Sequence, residues 1–79
     1  PYGVRLLEKG IPRQGCTVLR GETVIGEVTS GSFSPTLGEG IALILVRIPL
    51  QVGDYIAIQI RQNLCHAQVV DLPFVRKLA

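Results

Sequence analysis

Tryptophan and methionine are absent from these 79 residues, and there are only two tyrosines and two phenylalanines. With so few large rings, any core must be filled by aliphatic side chains. Histidine occurs once, at His66, and cysteine twice, at Cys16 and Cys65. Two thiols and one imidazole fall short of a closed four-ligand zinc site. Cys65 and His66 are neighbours on a predicted strand, so they face opposite ways and form no nucleophile–base pair. His66 therefore reads as an ordinary strand-face residue, and no metal is expected. Charge is sparse as well: eight basic and six acidic side chains give +2, and no block of like charge exceeds Arg76-Lys77. A basic stripe with interleaved aromatics is missing, which argues against nucleic acid as a partner. The longest apolar run, residues 41–46, is too short to cross a bilayer, so no membrane span is expected. No segment keeps a 3.6-residue period over ten or more positions, and there is neither an internal repeat nor a low-complexity tract.

What the chain does have is aliphatic residues. Hydrophobic side chains make up 47% of it and mean hydropathy is +0.38, high for a free-standing domain of this size. A single domain this short buries only about 60–65% of the surface its unfolded chain exposes. Two explanations compete: a Val-, Leu- and Ile-rich β core, or an apolar face covered by a partner or by more of the same polypeptide. The start at Pro1 without an initiator methionine fits a piece of a longer chain. With two cysteines and no signal peptide, reduced thiols in an intracellular protein are the expectation.

The most informative stretch runs from Val24 to Leu37. Val24, Ile25, Val28 and Thr29 are β-branched, and Glu27 interrupts the apolar run, so this part reads as a strand. Gly26 inside it predicts a bulge or a close backbone approach. Ser30-Gly31-Ser32 then reads as a hard stop, because glycine tolerates positive φ and serine hydroxyls bond nearby backbone. Ser34-Pro35 predicts one capped helical turn between Ser34 and Gly40. Thr29, Ser30, Gly31, Ser34 and Pro35 thus form a structural motif; the absence of a long helix or a base beside Ser30 argues against a nucleophile elbow.

The remaining elements are short. Residues 4–8 are a first strand, ended by Gly10 and Pro12. Residues 16–20 are a second, joined through Gly21-Glu22 to residues 23–25 as a hairpin. Residues 41–48 are apolar on both faces apart from Arg47, the pattern of the most buried strand or of a strand covered on both sides. Residues 55–61 alternate cleanly, with Ile56, Ile58 and Ile60 on one face. A turn at Gln62-Asn63, with Asn63 taking positive φ, returns the chain through residues 64–70. Leu72-Pro73-Phe74-Val75 reads as a last edge strand. Six or so short antiparallel strands, cut by nine glycines and five prolines, predict a small all-β sandwich or barrel.

Catalytic chemistry finds no constellation here. Glu8, Glu22, Glu27, Glu39, Asp54 and Asp71 are scattered, whereas paired-carboxylate chemistry needs two converging acids. Glu22, Glu39 and Asp54 read as solvated turn carboxylates, and Asp71 as a backbone-bonding turn residue. Arg13 and Arg61 stand out, because a planar five-donor fork suits carboxylates and carbonyls. They read either as solvated strand-end residues or as a clamp to a part of the protein outside this stretch.

The series Val28-Thr29-Ser30-Gly31, Ser34-Pro35, Leu37 and Ile41-Ala42 resembles the C-terminal barrel domain of the glycine cleavage system T protein family. Arg13 and Gly15, then Gly53, Ile60-Arg61, Ala67, Val69-Val70 and Leu72-Pro73-Phe74 extend the likeness over most of the chain. Arg5 departs from it, at a first-strand position where the family usually has glycine. The resemblance implies a distorted jelly-roll or Greek-key-like barrel. It implies a parent aminomethyltransferase that moves a one-carbon unit from the lipoyl arm of the H protein to tetrahydrofolate. The family's catalytic aspartate and most folate contacts lie in N-terminal domains, so no catalytic or cofactor-binding residue is carried over to this stretch. The family's tail tyrosine has no counterpart in Val75-Arg76-Lys77-Leu78-Ala79. Partners implied are the N-terminal domains of the same polypeptide and the H protein; an exposed apolar face predicts a dimer of the detached piece. The location implied is the bacterial cytoplasm or the mitochondrial matrix. Related folate-dependent dehydrogenases and an iron–sulfur-assembly folate protein carry the same module, and a free-standing interaction barrel is the remaining alternative.

Overall fold

The computed structural model describes residues 2–71. Six antiparallel strands, β1 (Tyr2–Leu6), β2 (Thr17–Arg20), β3 (Thr23–Ser34), β4 (Glu39–Val46), β5 (Tyr55–Ile60) and β6 (Asn63–Val70), close into one barrel. Around it the order is β1-β4-β3-β2-β5-β6, with β6 pairing back to β1. β2, β3 and β4 form a meander, and β1 lies beside β4, which is a Greek-key connection. Closure leaves no open sheet edge among the described strands. The predicted edge strand at residues 72–75 lies outside the described residues.

Period-2 alternation decides what goes inside. Val4 and Leu6, Val18, Ile25 and Val28, Ala42 and Ile44, Ile56 and Ile58, and Cys65, Ala67 and Val69 fill the interior, all at most 5% exposed. β4 is buried on one face only: Leu45 is 58% exposed, and Ile41 and Leu43 are half-buried. The expectation of a strand covered on both sides is thus corrected, since in a closed barrel one face of every strand looks outward.

The predicted stop at Ser30-Gly31-Ser32 is also corrected. β3 continues to Ser34, with Ser30↔Leu43, Gly31↔Ala42 and Ser32↔Ile41 paired to β4. What breaks there is register, since Val28 pairs Ile44 and Ser30 pairs Leu43, leaving Thr29 as a bulge residue. Gly31 is in extended conformation. Its missing side chain makes room for the Pro12 carbonyl oxygen, which lies 2.1 Å from where a Cβ would stand. Gly26 meets the sequence expectation: a Cβ there would lie 2.0 Å from the Leu45 carbonyl oxygen, and the β2–β3 register shifts beside it.

The capped turn forms as a hairpin tip with no helix. Ser34 Oγ accepts the Leu37 N–H at 3.2 Å, and the Gly38 N–H reaches the Ser34 carbonyl at 2.7 Å. At the β5–β6 hairpin the two loop residues are Arg61 and Gln62, since Ile60 pairs Asn63. Arg61, with φ 57°, takes the left-handed conformation expected of Asn63. Gln59 steadies it, its Nε2 donating to the Arg61 carbonyl at 2.8 Å.

Candidate functional site

Antiparallel closure sorts the connections onto two ends of the barrel. One end collects the close of β1, the loop 7–16, the start of β2, the β3–β4 tip, and the β5–β6 hairpin. Arg13, Arg61, Ser34 and Pro35 therefore share an end, with Thr29, Ser30 and Gly31 on the strand leading to it. The opposite end carries Gly21-Glu22 and the loop 47–54.

The loop 7–16 is clamped down over the first end. Its Gly15 N–H donates to the Val28 carbonyl, the Val28 N–H to the Cys16 carbonyl, and the Leu7 N–H to the His66 carbonyl, each at 2.8 Å. Cys65 Sγ donates weakly to the Lys9 carbonyl at 3.8 Å. Pro12 is fully buried beneath the loop. Gly40 is needed here, because a Cβ would lie 2.5 Å from the Gly10 carbonyl oxygen.

Between this loop and the β3–β4 tip lies an open cleft of about 580 Å³, lined by Leu7, Ile11 and Phe33 together with Arg5, Lys9 and Glu39 among others. Leu7, Ile11 and Phe33 are 43%, 43% and 46% exposed. Arg5 Nε donates to both Glu39 oxygens at 3.0 Å. Glu39 is thus a paired carboxylate rather than a solvated one. Glu8 also lines the cleft; its Oε2 pairs with His66 Nδ1 and accepts the His66 backbone N–H. These bonds hold the Glu8 carboxyl below its ordinary value, the side-chain bond from His66 contributing most. Sequence spacing gave no hint of either pair, whose members stand 34 and 58 positions apart.

Residues 2–76 match the family of the glycine cleavage T-protein C-terminal barrel domain. The chain belongs to that family. It is 45% identical over 75 residues to an aminomethyltransferase of Symbiobacterium thermophilum, covering 94% of this chain and 20% of the relative. Against the aminomethyltransferase of Thermosipho melanesiensis it is 42% identical over 74 residues, again 94% of this chain and 20% of the relative. Against that of Bacillus subtilis it is 38% identical over 76 residues, 95% of this chain and 21% of the relative. The chain thus spans about a fifth of the length of these curated relatives.

The T-protein barrel motif has a structural explanation at each residue. Thr29 is the bulge and its Oγ1 donates to the Leu43 carbonyl at 3.2 Å. Ser30 continues the ladder, Gly31 admits Pro12, Ser34 caps the tip, and Pro35 begins the exposed turn. Arg13 and Arg61 are exposed, and neither makes an ion pair among the described residues. Cys65 is buried and His66 exposed, on opposite strand faces. Cys16 and Cys65 are free thiols. Burial pushes the Cys65 thiol up, with Glu8 and Cys16 adding to it. Asp54 is a turn-former: its Oδ2 accepts the Gln51 N–H at 2.9 Å while its own N–H donates to the Gln51 carbonyl at 3.0 Å. Among the described residues no three His, Cys, Asp or Glu side chains converge as metal ligands would.

Proposed function

We propose that these residues are the C-terminal barrel of a tetrahydrofolate-dependent aminomethyltransferase, where they buttress the folate channel built by N-terminal domains of the same polypeptide. The observation that carries this reading is the match of nearly the whole chain to one terminal domain of proteins named aminomethyltransferase. In this reading the parent takes the aminomethyl group from the lipoyl arm of the H protein and passes the one-carbon unit to tetrahydrofolate. It works in the bacterial cytoplasm, or in a eukaryote in the mitochondrial matrix.

The barrel contributes support rather than chemistry. Its cleft-side carboxylates, Glu39 and Glu8, are engaged by Arg5 and His66, so neither is free to receive the donor edge of a pterin ring. The described residues thus do not fit tetrahydrofolate by themselves. Arg13 and Arg61 sit at the same end with their forks unpaired, and act as the clamp to the neighbouring domains.

The polypeptide encoded with its upstream sequence is assayed for methylene-tetrahydrofolate formation from aminomethyl-loaded H protein. Turnover that collapses when residues 2–71 are deleted is the expected result; an inactive full polypeptide, or a deletion without effect, refutes the proposal. Calorimetric titration of the 79-residue chain alone with tetrahydrofolate should show no binding. A micromolar dissociation constant, about −8 kcal/mol, would contradict the buttress role.

A further inference from the structure

The cleft at the loop 7–16 end combines features that a merely solvated surface has no reason to hold together. Three of the large exposed hydrophobic side chains, Leu7, Ile11 and Phe33, line one depression. Arg5 stands in the same lining with its Nε fixed by both oxygens of Glu39. Its two Nη groups make no hydrogen bond to the described residues, and the side chain is 40% exposed. A guanidinium steered through Nε and open at Nη is set to take a second carboxylate.

Charge around the cleft points to what that carboxylate belongs to. This end carries Arg5, Lys9, Arg13 and Arg61 against Glu8 and Glu39, and both acids are already paired. Lys9, Arg13 and Arg61 have no acidic partner among the described residues. The opposite end carries Arg20 and Arg47 against Glu22 and Asp54. Lys9 lines the cleft itself, and with the open Nη face of Arg5 it sets two cationic donors beside the apolar side chains. They match a polypeptide surface that sets acidic side chains beside apolar ones. The receptor is preformed, because the loop is fastened at Gly10, Pro12 and Lys9 onto β3, β4 and β6.

We infer that this cleft docks an acidic, apolar-anchored segment of the parent polypeptide, with Arg5, oriented by Glu39, gripping one of its carboxylates and Leu7, Ile11 and Phe33 receiving its apolar side chain. The inference rests on the proposed reading that further domains accompany the barrel.

The test is zero-length carbodiimide cross-linking of the full polypeptide, followed by peptide mass spectrometry. Lys9 lines the cleft and supplies the amine. The expected product joins Lys9 to an Asp or Glu outside residues 1–79, at a yield independent of protein concentration. Hydrogen exchange on the same polypeptide should show Arg5→Gln speeding exchange of cleft amides at residues 7–11 and 33–40 about tenfold or more. Amides at residues 48–54, on the opposite end, report that the barrel is still folded. Arg5→Lys, which keeps the charge but loses the fork, should release the segment in part.

A cross-link from Lys9 only to Glu8 or Glu39, or no cross-link, overturns the inference. So does a yield that rises with concentration, which would mean a second copy occupies the cleft, and so does an open reading frame with no further domain. A polypeptide that forms the cross-link but makes no methylene-tetrahydrofolate would sink the activity reading alone. An active enzyme without the cross-link would sink the docking alone.

Discussion

Replacing Gly31 by alanine tests how the loop 7–16 is held. The added Cβ would stand 2.1 Å from the Pro12 carbonyl oxygen and 2.6 Å from its carbon. A relaxed carbon–oxygen contact needs about 3.3 Å, so one backbone segment must move by roughly 1 Å. No flexible side chain is in the way to swing aside. Pro12 is buried, and its neighbours are tied by the Cys16 N–H to the Arg13 carbonyl and the Gly15 N–H to the Val28 carbonyl. Overpacking of a well-packed site costs about 1–3 kcal/mol, and a backbone-on-backbone clash belongs at the upper end of that range. A chain of this length has about 4–12 kcal/mol in total, so the loss is a large fraction. With a urea m-value of about 1 kcal/mol/M, the midpoint of unfolding should fall by roughly 2–3 M. Gly21→Ala is the control: φ is +62° there and nothing lies within 4 Å, so only left-handed strain of about 1–2 kcal/mol is added. Should Gly31→Ala unfold at a urea concentration equal to or above that of Gly21→Ala, the close approach of Pro12 is not the reason for glycine in the motif.

Three further outcomes follow from the same geometry. Glu8 titrates below its ordinary value in the fold, so its pairing with His66 supports stability above pH 4.5 and is lost as pH falls through and beneath that value; thermal melts of the parent and Glu8→Gln should differ near neutrality and converge at acid pH, and parallel curves would refute this. Arg61→Gly relieves left-handed backbone at φ 57° but adds unfolded-chain freedom, so the 79-residue chain should be unchanged or stabilised by up to about 1 kcal/mol; a loss beyond about 1 kcal/mol in denaturant would show that the side chain holds the barrel itself. Cys65 is 5% exposed with its thiol pushed up by burial, so iodoacetamide should label Cys16 first and Cys65 only on unfolding, as read by mass spectrometry; equal labelling rates in the folded state would contradict the burial.

Legibility from sequence varied with the range of the interaction. The hairpin at Gly21-Glu22 and the alternation of Ile56, Ile58 and Ile60 were readable, because both are written within a few residues. Ser34 as a cap was readable for the same reason. The role of Gly31 was misread, since a glycine that makes space looks the same in sequence as one that supplies positive φ. The left-handed residue at the β5–β6 turn was placed on Asn63 by side-chain preference, but the register that pairs Ile60 with Asn63 leaves Arg61 in that position. Glu39 looked solvated because its partner, Arg5, is brought beside it only by the pairing of β1 with β4.

The sequence by itself determined that the chain is all-β, that its core is aliphatic, and which side chains of residues 55–61 share one face, because side-chain alternation along a strand is a local property. It also carried the family likeness. Only the tertiary structure decided that β1 returns beside β4, that the loop 7–16 is fastened across one end, and that Arg5 meets Glu39 and Glu8 meets His66. Those contacts follow from barrel closure, and closure is set by the summed packing of all six strands rather than by any short stretch of them.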